Sequence, residues 1–182
     1  MVEDNKLKYY YTDKRYKELL SNMVILHAGN EQKNDHILDY FDKHNILHEK
    51  RALKTGDYSF KIKAAPELGF SVDTYFTDEL CIERKNSISE LAGNIAEKDD
   101  RFLKELTRMI NIQDCYLLIE DDRIDDILEH NYKTNYNELA FFRTLLTMQN
   151  RANIYTHCIK KENMGKVIYE ICLCSLNAKI LK

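Results

Sequence analysis

Three consecutive charged residues, Glu83-Arg84-Lys85, close an apolar segment of strand character, ELCIERK from Glu79 to Lys85. In a strand, side chains two apart share a face, so Glu83 and Lys85 project together while Arg84 points to the other side. A carboxylate and an ammonium aimed the same way can serve hydrolysis. The carboxylate binds a divalent cation, and the ammonium orients or acidifies the attacking water. One ion needs more than one ligand. Asp57, directly after Gly56 at the mouth of an earlier strand, is the natural second carboxylate if its strand neighbours that of Glu83. The plain alternative is an exposed strand end with an ordinary Glu and Lys cross-strand pair.

Periodicity sketches the elements that must position these residues. A polar, Tyr-rich lead and a short helix near Tyr16 to Leu20 precede an apolar strand from Met23 to Leu26. Asp35 then caps a helix whose Ile37, Leu38 and Phe41 share one face. The alternating stretch from Leu47 to Leu53, a turn at Thr55-Gly56, and Tyr58 to Ile62 read as a β-meander. Ser87 followed by Glu90 is a capping-box signature, opening a helix with Ile88, Leu91 and Ile95 on its apolar stripe. A second helix carries Phe102, Leu106 and Met109 on one side. Cys115 to Ile119 (CYLLI) is a continuous apolar run, as in a strand buried on both faces. A short helix near Ile124 to Leu128, a longer one from about Asn137 to Gln149, a strand from Asn153 to Ile159 and a closing helix from about Asn163 follow. This order predicts a mixed α/β sheet covered by helices.

Composition narrows the function classes. The 182 residues are 44% hydrophobic and 31% charged, with one proline and five glycines, which argues against disorder and repeat architectures. Charge is nearly balanced, 27 basic against 30 acidic residues, so a globally basic nucleic-acid coat is excluded and a local basic groove is not. The five cysteines lack C-x2-C pairs and sit mostly in apolar runs, so they read as reduced core residues rather than a zinc site. No apolar run reaches a membrane span and the N-terminus lacks a signal-peptide core, which points to the cytosol.

LKTGDYSF (Leu53 to Phe60), CIERKNSISELAGNI (Cys81 to Ile95), RFLKELTRM (Arg101 to Met109) and CYLLIED (Cys115 to Asp121) together resemble the nuclease domain of the XPF and Mus family, in particular its stand-alone versions from phages and mobile elements of low-GC bacteria. The shared signature is Gly-Asp, a spacer, Glu-Arg-Lys, and an acid soon afterwards, and KKENMGKVIYEICLCSL is similar to the family's closing helix. The resemblance implies a restriction-endonuclease-like fold, a mixed central sheet flanked by helices, with a nuclease domain over 23–182 after a lead over 1–22. It also implies a metal-dependent endonuclease acting on branched DNA such as flaps, forks or junctions in a bacterial or phage-infected cell. Asp57 and Glu83, with the Arg84 carbonyl, would hold Mg²⁺ or Mn²⁺ for an attack leaving a 5′-phosphate and a 3′-hydroxyl. Lys85 would position the water, and Arg84 would brace the site or a phosphate from the opposite face.

The chain departs from the family pattern at the end of its first strand, where an Asp-x-Arg is usual. Here the segment reads Leu26-His27-Ala28-Gly29-Asn30-Glu31. Either fewer carboxylates hold the ion, or Glu31 substitutes, or the protein is catalytically impaired and binds branched DNA or a partner protein, or the sequence has been altered. His27 would be an unusual ligand for Mg²⁺, which prefers oxygen. Glu90 and Glu79 are candidates for an outer shell, with capping and a solvated strand start as their respective alternatives, and Glu120 closes the CYLLI strand where family members also carry an acid. Arg101, Lys104 and Arg108 recur at helical spacing and could bind phosphates with Arg84, with a solvated helix face as the alternative. Lys160-Lys161 and Lys6 with Lys8 are weaker clusters. The chain has no room for the helix-hairpin-helix modules common in the family. Self-association as a homodimer, common in the family, would use the closing helix face of Ile168, Ile171 and Cys172, for which core packing is the alternative.

Overall fold

The computed structural model describes residues 11–29, 33–97, 100–121 and 123–180. Helix α1 (Asp13–Ser21) leads into strand β1 (Met23–Ala28), followed by α2 (Asp35–Lys43), β2 (His48–Arg51), β3 (Tyr58–Ile62), β4 (Thr74–Tyr75) and β5 (Leu80–Lys85). Helices α3 (Ile88–Ala96) and α4 (Asp100–Met109) lead to β6 (Asp114–Ile119). The chain ends with α5 (Asp125–Leu128), α6 (Glu138–Ala152), β7 (Ile154–Cys158) and α7 (Met164–Ile180).

The strands form one mixed sheet in the order β2-β1-β3-β5-β6-β7, with β4 beside the far half of β3. β5, β6 and β7 run parallel, each joined to the next by helical crossovers, whereas β3 is antiparallel to both β1 and β5. The expected meander of 47–62 is not formed. β2 instead pairs with β1 in parallel, Ile25 opposite His48, and β3 takes the other side of β1. Helix α2 explains the difference: its buried Ile37 and Phe41 pack on the sheet, making β1-α2-β2 a crossover that returns the chain parallel to where it began.

Each face of the sheet is covered. Leu19 of α1, Phe41 of α2 and Met164, Ile168, Cys172 and Leu176 of α7 pack with Ile25, Phe60 and Ile82 on one side. Ile88 and Leu91 of α3, Phe102 and Met109 of α4, and Phe141 and Leu145 of α6 pack with Cys81, Leu117 and Ile119 on the other. The closing-helix face considered for self-association is therefore core: Ile168 and Cys172 are fully buried and Ile171 packs against them. Three cysteines are buried, Cys158 is half-buried, Cys174 is exposed, and all five are free thiols.

Local chemistry fixes the elements around β5. Ser87 takes the N-cap of α3, its Oγ accepting from the Glu90 amide at 3.1 Å. Asn34, one residue earlier than expected, takes the cap position of α2, and Asp35 sits in its first turn. Asn137 caps α6 by accepting from the Ala140 amide at 3.0 Å, and Asn153 ends that helix in the left-handed region at φ 49°, turning the chain into β7.

Candidate active site

β5 is buried along its whole length although half of it is Glu-Arg-Lys. Burying three successive charges is costly unless each is paired, so this strand end is where ordinary core design has been set aside. Its alternation sends Glu83 and Lys85 to the α3/α4 side and Arg84 to the α2 side.

On the α3/α4 side, Lys85 Nζ donates to Glu83 Oε1 at 2.8 Å and lies 4.7 Å from the centre of the Phe102 ring. Asp57 is clamped beside them by its backbone: its amide donates to the Ile82 carbonyl at 2.8 Å, and its carbonyl accepts from the Ala28 amide at 2.7 Å. With Tyr58 opposite Ile82, the next step of the ladder sets Asp57 opposite Glu83 on a common face. The Asp57 carboxylate also accepts the Arg84 amide at 2.9 Å. Gly56 makes the approach possible. Its φ is +73°, and a Cβ there would lie 2.5 Å from Cys81 Sγ and 3.0 Å from the Ile82 carbonyl oxygen.

These residues line a cleft of about 410 Å³ together with Glu90, Phe102, Glu105 and Arg108. Burial, then the Asp57 charge, pushes the Glu83 carboxyl above the ordinary range, with Lys85 pulling the other way and Glu105 adding to the rise. Burial alone would lower the Lys85 ammonium, but the Glu83 charge and hydrogen bond, with Asp57 and Glu90, leave it raised. The site thus concentrates negative charge around one ammonium. Among the described residues, no three His, Cys, Asp or Glu side chains lie close enough to hold an ion together. What the cleft offers is a pair of carboxylates, Asp57 and Glu83. Their all-oxygen chemistry and mutual repulsion fit a hard divalent cation such as Mg²⁺ or Mn²⁺.

The other candidates fall into place individually. Glu90 lines the cleft, but its carboxylate is engaged by the Asn86 amide and side chain, both at 2.9 Å, so it fixes the loop after β5. Glu79 precedes β5 at the opposite end of the strand, roughly 13 Å from Glu83 at the usual strand rise, and does not reach the cleft. Burial raises its carboxyl. Glu31 lies outside the described residues, as do Lys6, Lys8 and the side chain of Arg101. Lys104 is exposed and does not line the cleft, whereas Arg108 does and pairs with Glu105.

Arg84, expected as a DNA contact, directs its side chain away from solvent. Its side chain is only 1% exposed and is held by Glu120, by Asn86 Oδ1 at 2.7 Å and by the Lys33 carbonyl at 3.3 Å. So enclosed on the α2 side, the guanidinium braces the strand. Glu120, joined at 3.2 Å by His36, is its partner and lies outside the cleft.

At the end of β1, His27 pairs across from Tyr58 and its ring sits 5.6 Å from that of His48, on the α2 side. Burial, then His48 and Lys50, lowers its pKa. The position facing Asp57 is Ala28, next along the ladder, and it carries no ligand.

Glu105 is a cleft acid that sequence reasoning missed, because an acid among Arg101, Lys104 and Arg108 looks like part of a solvated helix face. The available signal was spacing: Glu105 lies three residues after Phe102 and four before Met109, both buried, and so falls on the inward stripe of α4. Its carboxylate accepts the Gly56 amide.

The sequence profile of the ERCC4 domain matches residues 29–170. Among solved structures, XPF from Aeropyrum pernix is similar at a TM-score of 0.60 and 15% identity, covering 84% of this chain and 65% of that one. The same protein in complex with DNA matches at a TM-score of 0.60 and 15% identity, covering 85% and 66%. The chain therefore spans just under two-thirds of these relatives, and the likeness establishes a shared fold, the restriction-endonuclease-like mixed sheet flanked by helices. No curated protein matches.

Proposed function

Because this chain belongs to the ERCC4-domain family, we propose that it is a divalent-metal-dependent endodeoxyribonuclease acting on branched DNA, with residues 23–182 as its nuclease domain. The observation that carries this reading is the convergence of Asp57, Glu83 and Lys85 on one cleft, the last two 2.8 Å apart. The XPF structure determined with DNA supports DNA as the ligand.

Asp57 and Glu83, with the Arg84 carbonyl, are the residues that would hold Mg²⁺ or Mn²⁺. When bound, the cation supplies polarisation of the scissile phosphate and a lowered pKa for attacking water. The remaining work belongs to the chain. Lys85, held protonated by its carboxylate neighbours, orients the water and offsets charge developing on the phosphate. Phe102 walls the ammonium. Arg84 and Glu120 hold the strand from behind, and Glu105 fixes the turn that presents Asp57. Arg108, which lines the cleft and pairs with Glu105, would meet a flanking phosphate.

A second reading, a nuclease-fold protein that binds branched DNA or a partner without cutting, is favoured by Ala28 standing where an acid would complete the ligand set. A panel of flap, fork, junction and linear DNA incubated with Mg²⁺ or Mn²⁺ separates the two. The nuclease reading expects cleavage of branched substrates that Asp57→Asn abolishes. Binding of branched DNA with no product under either ion supports the second.

A further inference from the structure

Beside the active cleft lies a second groove of about 540 Å³, between α4 and α6. Phe102 lines both, so a single ring lies between the two depressions. The second has a different character. Ile95, Leu106, Ile110, Tyr136 and Met148 form its apolar surface, and its charged lining consists of Arg143 and Arg151, both exposed. No acidic side chain lines it among the described residues, in a chain whose formal net charge is −3. Ile110 is 54% exposed at its edge, left uncovered by the described residues.

An apolar trough flanked by cations and free of acids suits a polyanion that also has apolar faces. Single-stranded DNA has both, since its bases are unstacked and free to lie on aromatic and aliphatic side chains while its phosphates meet arginine. Duplex DNA keeps its bases paired inside and offers the groove only its backbone. Arg143 and Arg151 stand eight residues apart on α6, roughly 12 Å at the helical rise, which spans more than one nucleotide step of an extended strand. A second copy of the chain fits less well. A two-fold contact through this face would set arginine against arginine with no carboxylate between them.

We propose that this groove seats the unpaired bases of a single-stranded DNA arm leaving the active cleft, with Arg143 and Arg151 on its phosphates. The inference rests on the nuclease reading above and supplies what that reading lacks, a contact that tells DNA with an unpaired arm from plain duplex.

The test is fluorescence anisotropy on the full chain in EDTA, so that binding is read without cleavage. Three probes are compared: a blunt duplex, the same duplex with a single-stranded arm, and that duplex with an abasic arm that keeps its phosphates. The expected result is that the arm tightens wild-type binding by about tenfold or more, on the scale of one or two stacked bases, and that the abasic arm loses most of this gain. Ile110→Asp and the pair Arg143→Ala with Arg151→Ala are expected to remove the gain while keeping wild-type duplex affinity and melting temperature. Equal affinity for the three wild-type probes overturns the proposal, as does a loss that falls equally on duplex and armed DNA. A dimer that Ile110→Asp splits in sedimentation also overturns it, assigning the groove to a second copy. Arm-dependent binding by a wild type that never cuts would refute the nuclease reading alone, and cutting without arm-dependent binding would refute the groove alone.

Discussion

Gly56→Ala tests how Asp57 is delivered to the cleft. An L residue at φ +73° costs about 1–2 kcal/mol from the clash of its Cβ with the adjoining carbonyl. The new methyl would also stand 2.5 Å from Cys81 Sγ and 3.0 Å from a backbone oxygen, an overpacking that typically costs about 1–3 kcal/mol. The expected total is about 2–5 kcal/mol, a large part of the stability of an ordinary domain. Urea unfolding followed by circular dichroism reads it as a lower midpoint at unchanged slope. Part of the clash is with a side chain, so Cys81→Ala in the same molecule should recover about 1 kcal/mol relative to the sum of the single changes. The backbone oxygen and the φ penalty are not relieved, and the double variant stays below Cys81→Ala alone. A Gly56→Ala protein within about 0.5 kcal/mol of wild type would refute the claim that this turn needs glycine.

Other perturbations probe the supports of the site. Glu105→Ala removes the acceptor of the Gly56 amide and should lower stability by about 1–3 kcal/mol in urea unfolding, whereas Glu105→Gln, which keeps an acceptor, should cost less than half as much. Arg84→Ala leaves Glu120 buried without its guanidinium and should cost about 3–5 kcal/mol, with Arg84→Ala/Glu120→Ala recovering part of it; additive losses would contradict the pairing. The histidines set a pH dependence. Burial holds both His27 and His36 below their ordinary 6.5, so below that value the unfolded chain takes up protons that the folded one refuses. The histidines' share of stability is therefore complete above 6.5 and is lost as pH drops through the lowered folded values, while the raised Glu83 and Glu79 carboxyls act in the opposite sense. The melting-temperature difference between wild type and His27→Gln should therefore change in favour of His27→Gln from about pH 7 to about pH 5. A difference between wild type and His27→Gln that stays constant over this range would contradict the burial argument.

What the sequence made legible follows from how local each signal is. The CYLLI run, the Ser87–Glu90 cap and the stripes of α3 and α4 depend on neighbours within a turn or two, and the structure has them. The error at 47–62 arose because two alternating segments around a Gly turn look the same whether they pair with each other or with a third strand. Only the packing of Ile37 and Phe41 decides that β2 runs parallel to β1. Glu79 shows a similar limit: being in phase with Glu83 sets its face, and its place before the opposite end of β5 comes only from the structure. Glu105 was hidden by charge, since its neighbours on α4 are mostly cations. The Gly-Asp and Glu-Arg-Lys motifs were legible as chemistry because buried strands otherwise exclude such residues.

The central claim is that Asp57, Glu83 and Lys85 act as one hydrolytic unit. Single-turnover cleavage of a flap substrate with Mn²⁺ tests it most directly, comparing wild type with Asp57→Asn, Glu83→Gln and Lys85→Ala after each has been shown to melt like wild type. The account predicts that each change alone slows cleavage by about a hundredfold or more, and that Asp57→Asn combined with Lys85→Ala is scarcely slower than either, as for residues acting together. Cleavage that survives all three changes, or a wild type that binds the flap yet yields no product with Mn²⁺ or Mg²⁺, would contradict it.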